Sequence, residues 1–293
     1  MSVVPTLGTD GPDRLNTCRP GDALFEPSIL YEDGDLFAVD KPAGIVIHPT
    51  YKHPDGTLFD ALAAWEAAHG RARPCLLHRL DRDTTGVVLL ARTEQGRRGL
   101  VRQFEQRRVR KWYLALTHGV PAPATGEIAL PLARDATDRR LVVADPAGKV
   151  ALTQYHVIAT ADDLALVLVE PKTGRTHQIR AHFTALGHPL VGDAAYEALA
   201  ARGAAARASP DTLTSLGAEP RRSPTHSAAA RQMLHAAALA ARHPRSSAPL
   251  YIRATIPADF AALIPPAWLA LAERALADCA LADCALVEAG GDA

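Results

Sequence analysis

Cysteine is scarce, with four in 293 residues, and Cys18, Cys75, Cys279 and Cys284 show no paired metal-ligand spacing. Cys279 and Cys284 fall in an Ala/Leu-rich helical stretch, so reduced thiols are expected and a disulfide scaffold is not. Net charge is also missing. Lys+Arg and Asp+Glu both number 32, so the total carries no message about partners. The amino terminus has no apolar signal core, and no uninterrupted apolar run approaches the length of a bilayer span; a soluble, cytoplasmic chain is expected. Nor is there a Gly-rich phosphate-loop fingerprint, or an HxH or HExxH arrangement among His48, His78, His182, His188 and His235. ATP, dinucleotide and metal chemistry therefore have little support, and no cofactor is expected.

What the chain does have is uneven charge. Arg71 to Lys111 contains twelve basic and four acidic residues, a net of +8, whereas Ala258 to Ala293 has a net of −5. Such asymmetry can focus a phosphate backbone onto one face of a neutral protein, although a solvated arginine-rich helix gives the same count. Residues 1–27, rich in Gly, Pro, Asp and Thr, read as an irregular leader, and residues 28–293 as one catalytic-size domain.

Short apolar runs separated by turn residues predict strands at Ile29 to Tyr31, Leu36 to Val39, Ile45 to His48, Val87 to Ala91, Arg110 to Thr117 and Tyr251 to Ile256. Tyr113 should face away from Trp112 and Leu114. Val150 to Ile158 and Leu164 to Val169, joined by Thr160-Ala161-Asp162-Asp163, read as an antiparallel hairpin. Helical spacing is present over Leu58 to His69, from Thr93-Glu94 through Phe104, over Thr176 to Leu186 with Ile179, Phe183 and Leu186 as its apolar face and Gly187 as its stop, and over Ala267 to Val287. Leu234 to Ala241 fits either a helix or a half-buried strand. Residues 199–231 show no consistent period, read as either a flexible surface insertion or a weakly ordered helix-loop, and are assigned no chemistry. Hairpins with intervening helices favour an α+β fold with a mixed, largely antiparallel central sheet.

The stretch His78-Arg79-Leu80-Asp81-Arg82-Asp83-Thr84-Thr85-Gly86 places a carboxylate in a basic setting just before a rigid apolar strand. Arginines around Asp81 would keep it ionised, as a nucleophile or general base requires; a salt-bridged turn anchor has the same composition. Gly174-Arg175-Thr176-His177-Gln178-Ile179-Arg180 supplies the candidate cation. Arg175 and Arg180 lie five positions apart and cannot share a narrow helical stripe, so one can face phosphate while the other points inward. His177 and Gln178 can bond a base or phosphate, or cap local backbone. Tyr113 can stack on a nucleobase, with Lys111 toward phosphate on the same strand face, or Tyr113 can be core.

These segments together resemble the RluA-type pseudouridine synthases. His78 to Gly86 is similar to their HRLDxxTSG segment, with Thr85 where Ser is usual; Lys111 to Leu116 resembles the KxYxA-type strand; Pro171 to Phe183 resembles the P-x-TGRxHQIRxH-type segment. Lys41-Pro42-Ala43-Gly44, Gly187 to Asp193 and Leu234-His235-Ala236 are further family-like features, and the likeness runs from about Ile29 to Pro257. The resemblance implies a pseudouridine synthase fold, Asp81 as catalytic aspartate, Arg180 as its salt-bridge partner and Tyr113 against the target base. It implies Arg79 as the arginine that enters the RNA stack, with Lys111, Arg175, His177 and Gln178 as RNA-binding or site-support residues. The expected partner is structured RNA, ribosomal or transfer, met by a monomer that needs no cofactor or metal. A non-catalytic RNA-binding or ribosome-assembly protein is one rival reading, and a soluble enzyme acting on a small sugar or nucleoside is a second.

Overall fold

The computed structural model describes residues 26–49, 51, 54–207 and 229–289. The expected leader therefore lies almost wholly outside the described residues, as does the central part of the expected insertion. The strands are β1 (Ile29–Glu32), β2 (Leu36–Lys41), β3 (Cys75–Leu76), β4 (Thr85–Ala91), β5 (Arg110–His118), β6 (Thr125–Ile128), β7 (Leu132–Arg134), β8 (Val142–Ala144), β9 (Thr153–Ala161), β10 (Leu164–Pro171), β11 (Leu234–Arg242) and β12 (Pro249–Arg253). The helices are α1 (Leu58–Ala68), α2 (Glu94–Glu105), α3 (Gln178–Ala185), α4 (Ala194–Arg207), α5 (Ala258–Ala261) and α6 (Pro266–Ala289).

Ten strands form one sheet in the order β1-β2-β4-β11-β5-β10-β9-β6, with β3 on β4 and β12 on β11. Among the described residues only the β4–β11 pair is parallel, through His235 opposite Thr85 and Ala236 opposite Gly86. This is the mixed, largely antiparallel α+β sheet the sequence implies. One sheet face packs Phe37, Val88, Tyr113 and Val167 under Leu58 and Leu62 of α1 and Ile179 and Phe183 of α3. The other face packs Trp112, Leu114 and Leu166 against Trp268 and Leu276 of α6, and Leu89 with Leu239 against Leu100 of α2. Tyr113 and Trp112 thus lie on opposite faces, as strand alternation requires.

Several expectations need correction. Ile45 to His48 is not a strand: the carbonyls of Val46 and Ile47 accept the N–H groups of Leu58 and Phe59, so this segment caps α1 instead of joining the sheet. The β9 strand begins at Thr153, because Leu152 N–H donates to the Thr173 hydroxyl and the Val150 carbonyl accepts from Arg175. Helix α3 starts at Gln178, two residues late, and Leu186 is 40% exposed, so it is not part of the apolar face. The alanine-rich β11 is a strand buried on both faces, not half-buried. Residues 199–207 belong to α4, in keeping with the helix-loop alternative, but Arg231, in the stretch assigned no chemistry, is buried and tightly bonded.

Candidate active site

The loop from His78 to Thr84 joins β3 to β4, and its last three carbonyls accept from side chains far away in the sequence. Leu80 anchors it in the core. The His78 ring stacks on Phe104 at 5.5 Å, and its Nε2 accepts the Leu89 N–H at 3.0 Å, filling a gap along β4 between the β3 and β11 pairings. Burial pulls His78 down to about 3, so the ring is a neutral acceptor.

Beyond Asp81, three successive carbonyls end on two buried cations. Lys41 donates through Nζ to Arg82 O at 2.6 Å and Thr84 O at 3.0 Å, and closes its third bond on Pro42 O at 2.8 Å. Arg231 Nη1 reaches the intervening Asp83 O at 3.2 Å, while its Nε and Nη2 are held by both oxygens of Asp259 at 2.7 and 2.9 Å. Burial pulls Lys41 down to about 7 against the opposing charges of Asp83 and Asp81. Thr85 follows with its hydroxyl 2.9 Å from His235 Nδ1, a bond that the serine usual at this position in the family could also make. Gly86 then sits at φ +111°, and a Cβ there would lie 2.2 Å from the Ala236 carbonyl oxygen. Only glycine lets β4 approach β11 this closely.

Asp81 faces α3. Arg180 Nη1 donates to Asp81 Oδ2 at 3.3 Å, and its Nε and Nη2 make a shorter bidentate pair with Asp193 at 2.6 and 2.9 Å. Asp193 is almost fully buried, so it fixes the guanidinium, while the Asp81 side chain keeps 19% exposure toward the cleft. Burial works against the Arg180 cation, yet Asp193 and Asp81 hold its pKa above the usual value. Tyr196 lies under the guanidinium at 4.7 Å and uses its hydroxyl on the Val142 N–H and carbonyl and on His177 Nδ1. That bond holds His177, in the left-handed region at φ +51°, with Nε2 4.0 Å from Asp81 Oδ1. Burial lowers the His177 pKa, with Asp81 opposing.

A cleft of about 440 Å³ opens over Asp81 and is lined by Leu80, Tyr113, Ile179 and Leu234 with the cations Arg79, Lys111, Arg175 and Arg180. Burial raises the Tyr113 phenol, with Asp81 adding to the effect, so the hydroxyl stays protonated. Burial lowers the Lys111 ammonium, with Glu170 opposing. Arg175 is exposed and its side chain bonds the Val150 carbonyl, whereas Arg180 points inward from α3; Arg175 precedes the helix, so the turn before Gln178 and not helical spacing separates the two. Arg79 is exposed at the entrance. Gln178 differs from the base- or phosphate-binding alternative. Its buried amide accepts from Thr173 Oγ1 and Arg175 N–H and donates to Leu152 O and Thr153 Oγ1, so it shapes the Thr173 to His177 turn.

The RNA pseudouridylate synthase family model matches residues 35–185, just over half of the chain. The chain belongs to this family. It is 44% identical over 223 residues to an uncharacterized RNA pseudouridine synthase of Chloroflexus aurantiacus, covering 75% of this chain and 63% of that protein. It is 36% identical to ribosomal large subunit pseudouridine synthase D of Zymomonas mobilis, covering 84% of this chain and 73% of that protein. The chain thus spans less than two thirds of the Chloroflexus relative, and 55% of a similar protein of Aquifex aeolicus. Among solved structures, human RNA pseudouridylate synthase domain containing 4 aligns over 80% of this chain and 91% of its own, with a TM-score of 0.59 and 28% identity.

Four residues of the site escape sequence reasoning. Lys41, Asp193 and Arg231 act on backbone or on another charge, and Tyr196 acts through its hydroxyl and its ring face. Lys41 and Asp193 stand inside family-like stretches, but nothing in their spacing points to Arg82, Thr84 or Arg180. A lone arginine and aspartate 28 positions apart, Arg231 and Asp259, give no local signal at all.

Proposed function

We propose that the chain isomerises uridine to pseudouridine in structured RNA, with Asp81 as the catalytic carboxylate. The observation that carries this reading is the placement of Asp81 at a nucleotide-sized cleft, against an arginine locked by a second, buried aspartate. An idle RNA-binding surface has no use for that arrangement.

A stacked uridine cannot present its glycosidic carbon to a carboxylate, so the nucleotide must leave the helix and enter the cleft. Tyr113, Leu80, Ile179 and Leu234 offer it apolar and aromatic walls, and Arg79 at the entrance is placed to fill the stack it leaves. Asp81 acts on the ribose as N1–C1′ breaks; the uracil turns while enclosed; C5–C1′ forms, C5 loses a proton and N1 gains one. Atoms and electrons balance without an external reactant. The site's work is to stabilise charge, exclude water and retain the free base. Arg180, fixed by Asp193, keeps the carboxylate aimed without moving during the reaction.

The substrate class is ribosomal large-subunit or transfer RNA, bound by a cytoplasmic monomer that needs no metal or organic cofactor. Among the described residues no helix is long and apolar enough to cross a membrane. The test is Asp81→Asn. Pseudouridine mapping of total RNA from a deletion strain complemented with wild type or this variant should show one or more sites restored by the wild type alone, while the purified variant still binds RNA. Modification by the variant would overturn the assignment.

A further inference from the structure

Helices α1, α2 and α3 end in the same way. In each, the N–H two residues beyond the C-cap returns to a carbonyl inside the last turn: Arg71 to Glu66 at 2.9 Å, Arg108 to Gln103 at 2.8 Å and His188 to Phe183 at 2.8 Å. This closure needs a residue with positive φ just after the C-cap, a position that favours glycine. Helices α1 and α3 have it, with Gly70 at φ +70° and Gly187 at φ +88°. Helix α2 has Arg107 at φ +57° instead. The chain twice uses the unstrained residue and once accepts an L-side chain in a disfavoured conformation, and that one lies on the rim of the cleft.

The charges around Arg107 are arranged differently from those earlier in α2. Arg97 and Arg98 are both bonded to Glu94 at 2.7 Å. Arg102, Arg107 and Arg108 are exposed and make no ion pair among the described residues. Glu105 is the one carboxylate on the same turn. The helix C-terminus attracts a cation, but Arg102 in the last turn already meets that need without strain.

We infer that Arg107, flanked by Arg102 and Arg108, is a phosphate-contacting site for the RNA strand beside the extruded nucleotide. The left-handed residue turns its side chain off the helix and onto the rim, where the guanidinium can fork two phosphate oxygens. Strain kept at a cleft edge by an arginine is strain retained for a ligand. This inference rests on the RNA reading of the cleft and extends it from the target nucleotide to its flank.

The test is Arg107→Gly, which keeps the positive-φ turn and removes the side chain with its guanidinium. Melting temperature, and affinity for a fluorescent RNA hairpin with uridines in its loop, are measured between about 50 and 300 mM salt. The variant should melt at or above the wild-type temperature, bind the hairpin several-fold more weakly, and lose roughly 0.7 to 0.9 from the slope of log affinity against log salt. A variant that binds as tightly and with the same slope, while wild type binds, overturns this assignment alone. A lower melting temperature with unchanged binding would mean that Arg107 serves the helix end, and also overturns it. A wild-type protein with no affinity for the hairpin overturns the RNA reading beneath it.

Discussion

Arg180 is bound more closely to Asp193, at 2.6 and 2.9 Å, than to Asp81, at 3.3 Å. The guanidinium therefore belongs structurally to the buried aspartate and leaves Asp81 a single, looser bond. Replacing Asp193 by asparagine preserves volume but removes the charge and one acceptor. Arg180 should then close onto Asp81 and tie up the oxygen it now only orients. Turnover is expected to fall on the order of 100-fold, the scale of a small misplacement at a reacting centre, with RNA affinity retained and stability reduced by roughly 3 kcal/mol. Single-turnover rates within threefold of wild type would show that Asp193 has no part in aiming the site.

Lys41 and Arg231 hold three consecutive carbonyls of the Asp81 loop from two distant parts of the chain. Lys41→Met fills the same space but leaves the Arg82 and Thr84 carbonyls without a donor, at a cost of roughly 2–4 kcal/mol. Arg231→Gln frees the Asp83 carbonyl. Both variants should lose turnover more than RNA affinity, because the loop and not the binding surface is loosened. Equal losses in binding and turnover, or none in either, would contradict the positioning role.

Acid sensitivity should come in part from two histidines beside β4. Burial pulls His78 down to about 3 and His235 down to about 4, the latter against the Ala254 carbonyl. Both folded values lie below the ordinary histidine range, so as pH falls from about 6.5 toward 4 the unfolded chain takes up protons that the folded chain refuses. Their stabilising contribution is present above about 6.5 and is lost through that window, on the order of 3 kcal/mol per histidine at most. His78→Gln with His235→Asn keeps a neutral polar atom near each ring nitrogen now in use. Urea midpoints of this double variant should change less between pH 7 and pH 4.5 than those of wild type; an identical decline would exclude the two rings as the source.

Much of the scaffold is legible because its signals are local. The apolar run at Val87 to Ala91, the alternation through Tyr113 and the Thr93-Glu94 helix start are each stated by neighbouring residues, and the structure has all three. The Asp81, Tyr113 and Arg180 trio is legible through motif resemblance. The ambiguity at Leu234 to Ala241 arises because alanine has no preferred face; only the neighbours β4, β5 and β12 decide that it is a strand. Ile45 to His48 misleads for the opposite reason, since Ile47 enters the core and Ile45 packs against it while the Val46 and Ile47 carbonyls serve a helix start. Lys41 and Arg231 are silent in sequence because a backbone carbonyl is the same at every residue, so a side chain that binds one leaves no complementary letter elsewhere.

The parallel contact between Thr85-Gly86 and His235-Ala236 also joins segments 150 residues apart, and so bears on the order in which they can assemble during synthesis. A nascent chain that has emerged as far as α4 already contains Asp81, Tyr113, Arg180 and Asp193. It lacks β11 and Arg231, so the Asp81 loop has neither the strand beside its exit nor one of the two side chains that clasp its carbonyls. The segment ahead of β4 is therefore fully held only once β11 and the chain around Arg231 have been made.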